Sequence, residues 1–184
     1  MKKLGTSIRA LMVFTVICGI VYPVAITGFS QLFFQDKANG SMITIENKEG
    51  TAEVVGSKLL GQTFTDPKYL IGRPQEVSNL SPSSDEQAAA VAGRVAFWED
   101  LDPLNKEAVP AELVTAPASG VDPNLSQAAA AYQVNRIARE RNLEPATVQA
   151  IIDEQTSGRA FSLFGEPVVN VLEVNLALDE LSNG

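Results

Sequence analysis

Gly56-Ser57-Lys58 is the first stretch whose side chains suggest chemistry, because glycine, a hydroxyl and an amine together could cradle a phosphate or pair a nucleophile with a base. A phosphate-binding loop, however, needs Gly-Lys followed by Ser or Thr, placed after a strand and at a helix N-terminus; the order here differs. The nucleophile reading fails too, since neighbouring residues on a strand point to opposite faces. Adjacent carboxylates occur at Glu99-Asp100 and Asp153-Glu154 on helical stretches, where such pairs read as solvated faces. Histidine is absent, which removes the most frequent general base and the commonest metal ligand. The single cysteine, Cys18, lies inside an apolar run, so no disulfide forms within the domain. No catalytic residue and no metal-ligand set is assigned.

One loop stands out, from Val114 through Ser126, with Thr115, Pro117, Ser119, Gly120, Asp122, Pro123 and Asn124 between them. Its composition suits Asx and Ser/Thr turns that run into a helix capped by Ser126. The alternative is an interaction loop carried on a rigid scaffold.

The N-terminus sets the topology. From Ala10 to Gln35 there is no charged residue, and a membrane span needs about 20 mostly apolar residues. A cleaved signal peptide would have a shorter apolar core and a small-x-small site; Pro23 sits three positions before the cut that Ala25 would offer, and Ile17 precedes Cys18. The segment reads as a retained anchor. Lys2, Lys3 and Arg9 precede it and hold the tail 1–9 in the cytoplasm, which places residues 36–184 outside. With three of the 14 basic side chains in the tail, the remaining eleven face all 22 acidic ones, so the outer part carries −11. Such a surface repels nucleic acid and anionic headgroups.

Within the span, Thr15, Gly19, Pro23, Thr27 and Gln31 recur every four residues. Each step drifts about 40° around a helix, so these residues form one slowly winding stripe suited to a partner helix. Pro23 deprives the Gly19 carbonyl of its helical donor and predicts a kink there.

The outer part should be one mixed α/β (α+β) domain. Gly40–Glu49 reads as a linker or irregular segment, Val54–Leu60 as a short strand and Tyr69–Ile71 as a second. Ser84 with Gln87 opens a helix through Trp98, with Val91, Val95 and Trp98 on one face. A second helix runs from after Ser126 to about Arg141, with Ala130, Val134 and Ile137 inward and Gln133, Arg136, Arg139 and Glu140 outward. A third spans Pro145 to Gly158 and buries Val148, Ile151 and Ile152. Val168–Leu172 reads either as a buried strand or, with Asn170 and Glu173, as the cap of a helix with apolar Val171, Val174, Leu178 and Leu181.

The chain resembles the C subunit of Kdp-type potassium-transporting ATPases over nearly its whole length. The matching blocks include Tyr22-Pro23 with Thr27 and Gln31, Gly56-Ser57, Leu60-Gly61-Gln62 with Phe64, Tyr69, Gly72-Arg73-Pro74, Val114-Thr115, Ala118-Ser119-Gly120, Asp122-Pro123 and Ser126. They continue with Ala130, Gln133, Arg136, Gly165-Glu166, Val169-Asn170-Val171-Leu172 and Asn175. Departures are Asn124, where the family loop usually has histidine after Asp-Pro, Gln75 in place of a common serine, and Pro117 in place of a smaller residue. The resemblance implies a non-catalytic accessory subunit and assembly factor. Its expected partners are a channel-like potassium-binding subunit, a P-type ATPase subunit and a small single-span subunit. ATP and potassium would be handled by that complex, and the C subunit would raise the nucleotide affinity of the ATPase subunit as a catalytic chaperone. The stripe residues Thr15, Gly19, Pro23, Thr27 and Gln31, with Tyr22 added by the resemblance, are the candidates for partner-helix packing. Thr115, Ser119, Gly120, Asp122, Pro123, Ser126 and Gln133 form the candidate interaction loop. A membrane-tethered sensor or ligand-binding domain is the alternative reading of the same topology, and an anchored outer-face hydrolase is disfavoured by the missing histidine.

Overall fold

The computed structural model describes residues 2–46, 50–159 and 161–183, which form two units divided between Ser57 and Lys58. The first begins with helix α1 (Lys2–Val16), a wider π turn (Ile17–Val21) and helix α2 (Tyr22–Phe33). Proline lacks an N–H and its ring crowds the carbonyl four residues back, so the expected irregularity at Gly19 takes the form of this π turn. The Tyr22 amide donates to the Ile17 carbonyl, five residues earlier. Among the described residues, one helix, Lys3–Phe33, is long and apolar enough to cross a membrane, with 31 residues and an 18-residue stretch of mean hydropathy 2.2. At 1.5 Å per residue it extends roughly 46 Å, beyond the ~30 Å hydrocarbon core.

A short helix α3 (Gln35–Ala38) follows, ended by Gly40 and Ser41 at positive φ, where the Ser41 amide donates to the Asp36 carbonyl at 2.9 Å. Strand β1 (Met42–Glu46) then pairs antiparallel with β2 (Ala52–Ser57), from Met42 opposite Ser57 to Glu46 opposite Ala52. The register slips between Ile43 and Thr44, leaving Val55 as the extra residue of a bulge. The expected linker at Gly40–Glu49 is thus a strand over 42–46, while residues 47–49 lie outside the described residues. The β-branched run Ile43-Thr44-Ile45 favours extended backbone, and pairing with β2 realises that preference. The neighbouring strand starts at Ala52 and stops at Ser57, whose hydroxyl donates to the Gly40 carbonyl at 2.6 Å.

The second unit is mixed α/β, as the sequence predicts. Its helices are α4 (Asp85–Leu101), α5 (Ala111–Val114), α6 (Gln127–Ala131), α7 (Val134–Arg141), α8 (Pro145–Glu154) and α9 (Val171–Asn183). Strands β3 (Asn124–Ser126), β4 (Thr156–Ser157) and β5 (Val168–Asn170) form an antiparallel sheet in the order β3-β5-β4. Leu70, Trp98, Leu113, Leu125, Ile137, Val148, Ile152, Val169, Val174 and Leu178 fill one core. Ser84 caps α4 as expected, its hydroxyl accepting the Gln87 amide at 3.2 Å, and Trp98 is buried with Val91 and Val95 packed partly against the core.

Four expectations need correction. The helix after Ser126 is broken at Tyr132-Gln133, where the Gln133 amide bonds the Ala130 carbonyl in a tightened turn. The third helix ends at Glu154 because Thr156 turns its hydroxyl onto the Ile152 carbonyl at 2.7 Å and then pairs with Val169. Leu181 is exposed, although Val171, Val174 and Leu178 are buried as predicted. Tyr69–Ile71 joins no strand, because side chains rather than a second backbone satisfy its polar groups. The two alternatives for 168–172 both hold: β5 runs directly into α9, and the Asn170 Oδ1 accepts the Glu173 amide at 3.2 Å.

Candidate functional site: the interaction loop and the span

The loop from Val114 to Ser126 is held by the turn chemistry its composition dictates. Thr115 donates its hydroxyl to the Ala111 carbonyl at 2.8 Å, ending α5. The Ser119 hydroxyl accepts the Val121 amide at 3.2 Å, and the Asp122 Oδ1 accepts the Asn124 amide at 3.0 Å, an Asx turn. Gly120 sits at φ +71°, and a Cβ there would meet the Val77 side chain at 2.9 Å, so only glycine fits both the conformation and the close approach. Pro123 presents its carbonyl to the Val171 amide at 3.0 Å, tying the loop to the start of α9. Ser126 caps α6 by accepting the Ala129 amide at 3.2 Å, while its own amide donates to Glu112.

A second segment clasps this loop from outside. The guanidinium of Arg73 donates to the Asp122 Oδ2 at 3.1 Å and to the Thr115 carbonyl at 3.2 Å, bridging the two ends of the loop. Gly61 donates its amide to the Val121 carbonyl at 2.7 Å. Asn124 lies half-buried on β3 opposite Asn170, whose amide nitrogen comes within 3.5 Å of its Oδ1.

Gln133, expected outward with the loop set, is 1% exposed, and its carboxamide takes the place of a neighbouring strand. Its Oε1 accepts the Ile71 amide at 2.9 Å and its Nε2 donates to the Ile71 carbonyl at 2.9 Å. Asn175 does the same for Leu70, at 2.7 Å and 2.9 Å. Arg136, also expected outward, is 2% exposed and donates to the carbonyls of Pro67 and Tyr69 and to the Gln133 Oε1. Burial pulls its guanidinium down to about 10, against the pull of Asp102 and Glu140. These inversions have one cause: an extended segment without a β partner carries backbone groups that must be satisfied, and long polar side chains reach them. Arg139 and Glu140 do lie on the outer side, with Arg139 paired to buried Asp102. A cavity of about 230 Å³, lined by Phe64, Arg73, Arg94, Phe97 and Trp98, opens beside the clasp. Small-molecule sites run about 300–1,000 Å³, so this recess falls somewhat below that range.

Along the span, Thr15, Gly19, Tyr22, Pro23 and Thr27 are exposed, and a Cβ at Gly19 would meet nothing within 4 Å. Gln31 is partnered: its Nε2 donates to the Asn39 Oδ1 at 2.9 Å, an amide pair across the α2–α3 turn. Ser57 and Lys58 carry no nucleophile–base geometry, since Lys58 bridges to Glu173 at 2.6 Å while Ser57 holds Gly40.

Residues 4–180 match the family described as KdpC, the c chain of K+-transporting ATPases. The chain belongs to that family. It is 51% identical over 178 residues to the potassium-transporting ATPase KdpC subunit of Listeria monocytogenes serotype 4a (strain HCC23), covering 95% of this chain and 94% of the relative. The corresponding subunit of Clostridium perfringens (strain ATCC 13124) is 46% identical over 201 residues, covering 97% and 98%. That of Dechloromonas aromatica (strain RCB) is 42% identical over 191 residues, covering 97% of each chain. As a KdpC-family chain it is a single-pass membrane protein, with its basic tail in the cytoplasm and its α/β unit outside. Sequence reasoning missed Asn175 and the depth of Gln133 and Arg136. The signal that could have found them is that Gln133, Arg136 and Asn175 are polar positions within the family resemblance on otherwise apolar helix faces.

Proposed function

We propose that this chain is the accessory subunit that joins a potassium-transporting ATPase through its span and caps the outer face of that pump with its acidic α/β unit. It hydrolyses no ATP itself and supports assembly and ATPase function. The observation that carries this reading is the family match over residues 4–180, which includes the span and the outer unit together. In this mechanism Thr15, Gly19, Tyr22, Pro23 and Thr27 pack against the channel-like subunit, where small side chains allow helices to approach closely. Gln31 stays with Asn39 and ends that contact on the outer side. The P-type ATPase subunit and the small single-span subunit complete the complex.

The loop residues Thr115, Ser119, Gly120, Asp122, Pro123, Ser126 and Gln133 act by shaping the outer unit. Nucleotide lies across the membrane from this unit, so any rise in the ATP affinity of the ATPase subunit runs through the partner and not through direct contact. An excess of carboxylates, −11 on the residues after the tail, concentrates potassium modestly at an outer entrance, an effect that salt screens within about 10 Å. A tethered ligand-binding domain is the weaker reading, because it gives no reason for a family match that runs through the span as well as the outer unit.

The test measures potassium-stimulated ATP hydrolysis by the purified complex with the chain intact and with everything after Ser57 removed. Loss of activity or nucleotide affinity in an assembled truncated complex supports action across the membrane. Unchanged activity and affinity would make the outer unit dispensable and refute that part. The electrostatic part fails if neutralising surface carboxylates leaves the apparent potassium affinity unchanged at low ionic strength.

A further inference from the structure

The connection from β4 to β5 holds large apolar side chains in solvent: Phe161 is 94% exposed, Leu163 70% and Phe164 65%. The backbone there is not relaxed. Phe161 and Ser162 sit at φ 53° and 59° and Gly165 at 82°, and a bulky residue at positive φ is an outlier. The Ser162 amide closes onto the Arg159 carbonyl at 3.0 Å, and Arg159 meets Glu166 at 3.6 Å across the base of the turn. Both flanking strands are anchored, because Ser157 and Thr156 pair with Val168 and Val169, and Val169 is fully buried. Between Arg159 and Glu166 the sequence carries no charge, on an outer part that is otherwise strongly acidic.

The geometry points to this tip, Phe161, Leu163 and Phe164, as an anchor that inserts into an apolar, uncharged socket on the outer face of another subunit of the same pump. The inference rests on the accessory-subunit reading and adds the contact that reading lacks. A bilayer accepts aromatic and aliphatic side chains without regard to their mutual placement, so the closed, left-handed turn serves no purpose there. A protein socket rewards rigid aromatic anchors, since little freedom is lost when they bind. Size argues against a second copy of this chain. Three such side chains offer on the order of 400 Å², about half of the ~800 Å² per partner that a stable interface buries. A tip of that area holds only a partner already kept close, and the span keeps the other pump subunits close.

The test places p-benzoylphenylalanine at Phe161 in the full chain and irradiates the assembled pump in its membrane and in mild detergent. The expected result is a covalent adduct with an outer-face segment of another pump subunit, weakened about tenfold or more when Leu163→Ser and Phe164→Ser are combined. Unchanged Trp98 emission in that double variant confirms that the unit remains folded. Adducts with lipid, adducts between two copies of this chain, or no adduct in a pump that assembles and hydrolyses ATP each overturn the proposal. A chain that fails to copurify with the other subunits even before substitution overturns the accessory-subunit reading itself, and this inference with it.

Discussion

Replacing Gln133 with leucine tests the buried clamp directly. The two side chains have similar volume, so the change removes the carboxamide and creates little cavity. It orphans the amide and the carbonyl of Ile71, both held at 2.9 Å, and takes one acceptor from Arg136, which keeps the Tyr69 carbonyl. Each unsatisfied buried group costs about 1–3 kcal/mol, and the added apolar burial returns about 1–2. The net loss should be about 3 kcal/mol, which lowers the melting temperature of a unit this size by roughly 10 °C. The assay is thermal or urea unfolding of the full chain in mild detergent, followed by the emission of Trp98. This is the single tryptophan of the chain, 2% exposed within the same unit, so its signal reports the second unit. Gln127→Leu provides the control, because Gln127 is exposed at the start of α6 and the same exchange there should stay within about 0.5 kcal/mol. If Gln133→Leu proved as mild as Gln127→Leu, Gln133 would face outward as the helical wheel suggests, and the clamp would be wrong.

Tyr69 is pushed above its usual 10.0, first by burial and then by its hydrogen bond to Asp179, 3.0 Å away. A raised pKa means the folded chain holds the proton longer than the unfolded one, so this contribution is complete below pH 10 and is lost as pH rises through the folded value. Tyr69→Phe should therefore cost about 1 kcal/mol at neutral pH, with the difference from the parent shrinking in melts taken above pH 10; a pH-independent difference would refute the linkage. Gly61→Ala would bring a Cβ to 2.6 Å from the Asp122 carbonyl oxygen and should cost about 2 kcal/mol, measured by urea midpoint. Gly93→Ala, in the exposed middle of α4 with nothing within 4 Å, should stabilise by up to about 1 kcal/mol in the same assay. Arg73→Lys keeps the charge but cannot reach both Asp122 and the Thr115 carbonyl, and should lower the midpoint by about 1 kcal/mol.

What the sequence made legible follows the range of the forces involved. The span, the Ser84 and Ser126 caps and the buried faces of α4 and α8 are local: each depends on residues three or four apart, and each is present. The β1–β2 hairpin went unread because a strand of five residues acquires meaning only from its partner, and the register carries a bulge. Gln133 and Arg136 went unread for the opposite reason. A helical wheel sorts residues by polarity, whereas these side chains are buried because of what Pro67, Tyr69 and Ile71 lack, more than 60 residues earlier.

The residues that carry the family resemblance acquire a physical meaning from this arrangement. Gly61 and Arg73 grip Val121, Asp122 and Thr115, Gln133 and Asn175 grip Ile71 and Leu70, and Asn170 links β5 to α9 and to the Lys58 carbonyl. Nearly every one joins segments distant in sequence, and none is arranged to move a proton or hold an ion. A signature composed of such fasteners specifies a rigid outer unit. Rigidity is what an accessory subunit requires if binding at its outer tip and packing along its span are to act on one partner, because a loose unit would lose that gain to its own ordering. Loosening the clamp with Gln133→Leu should therefore weaken adduct formation at Phe161 in the assembled pump, although Gln133 is buried and touches no partner. Undiminished adducts in that variant would show that the tip binds without the unit behind it.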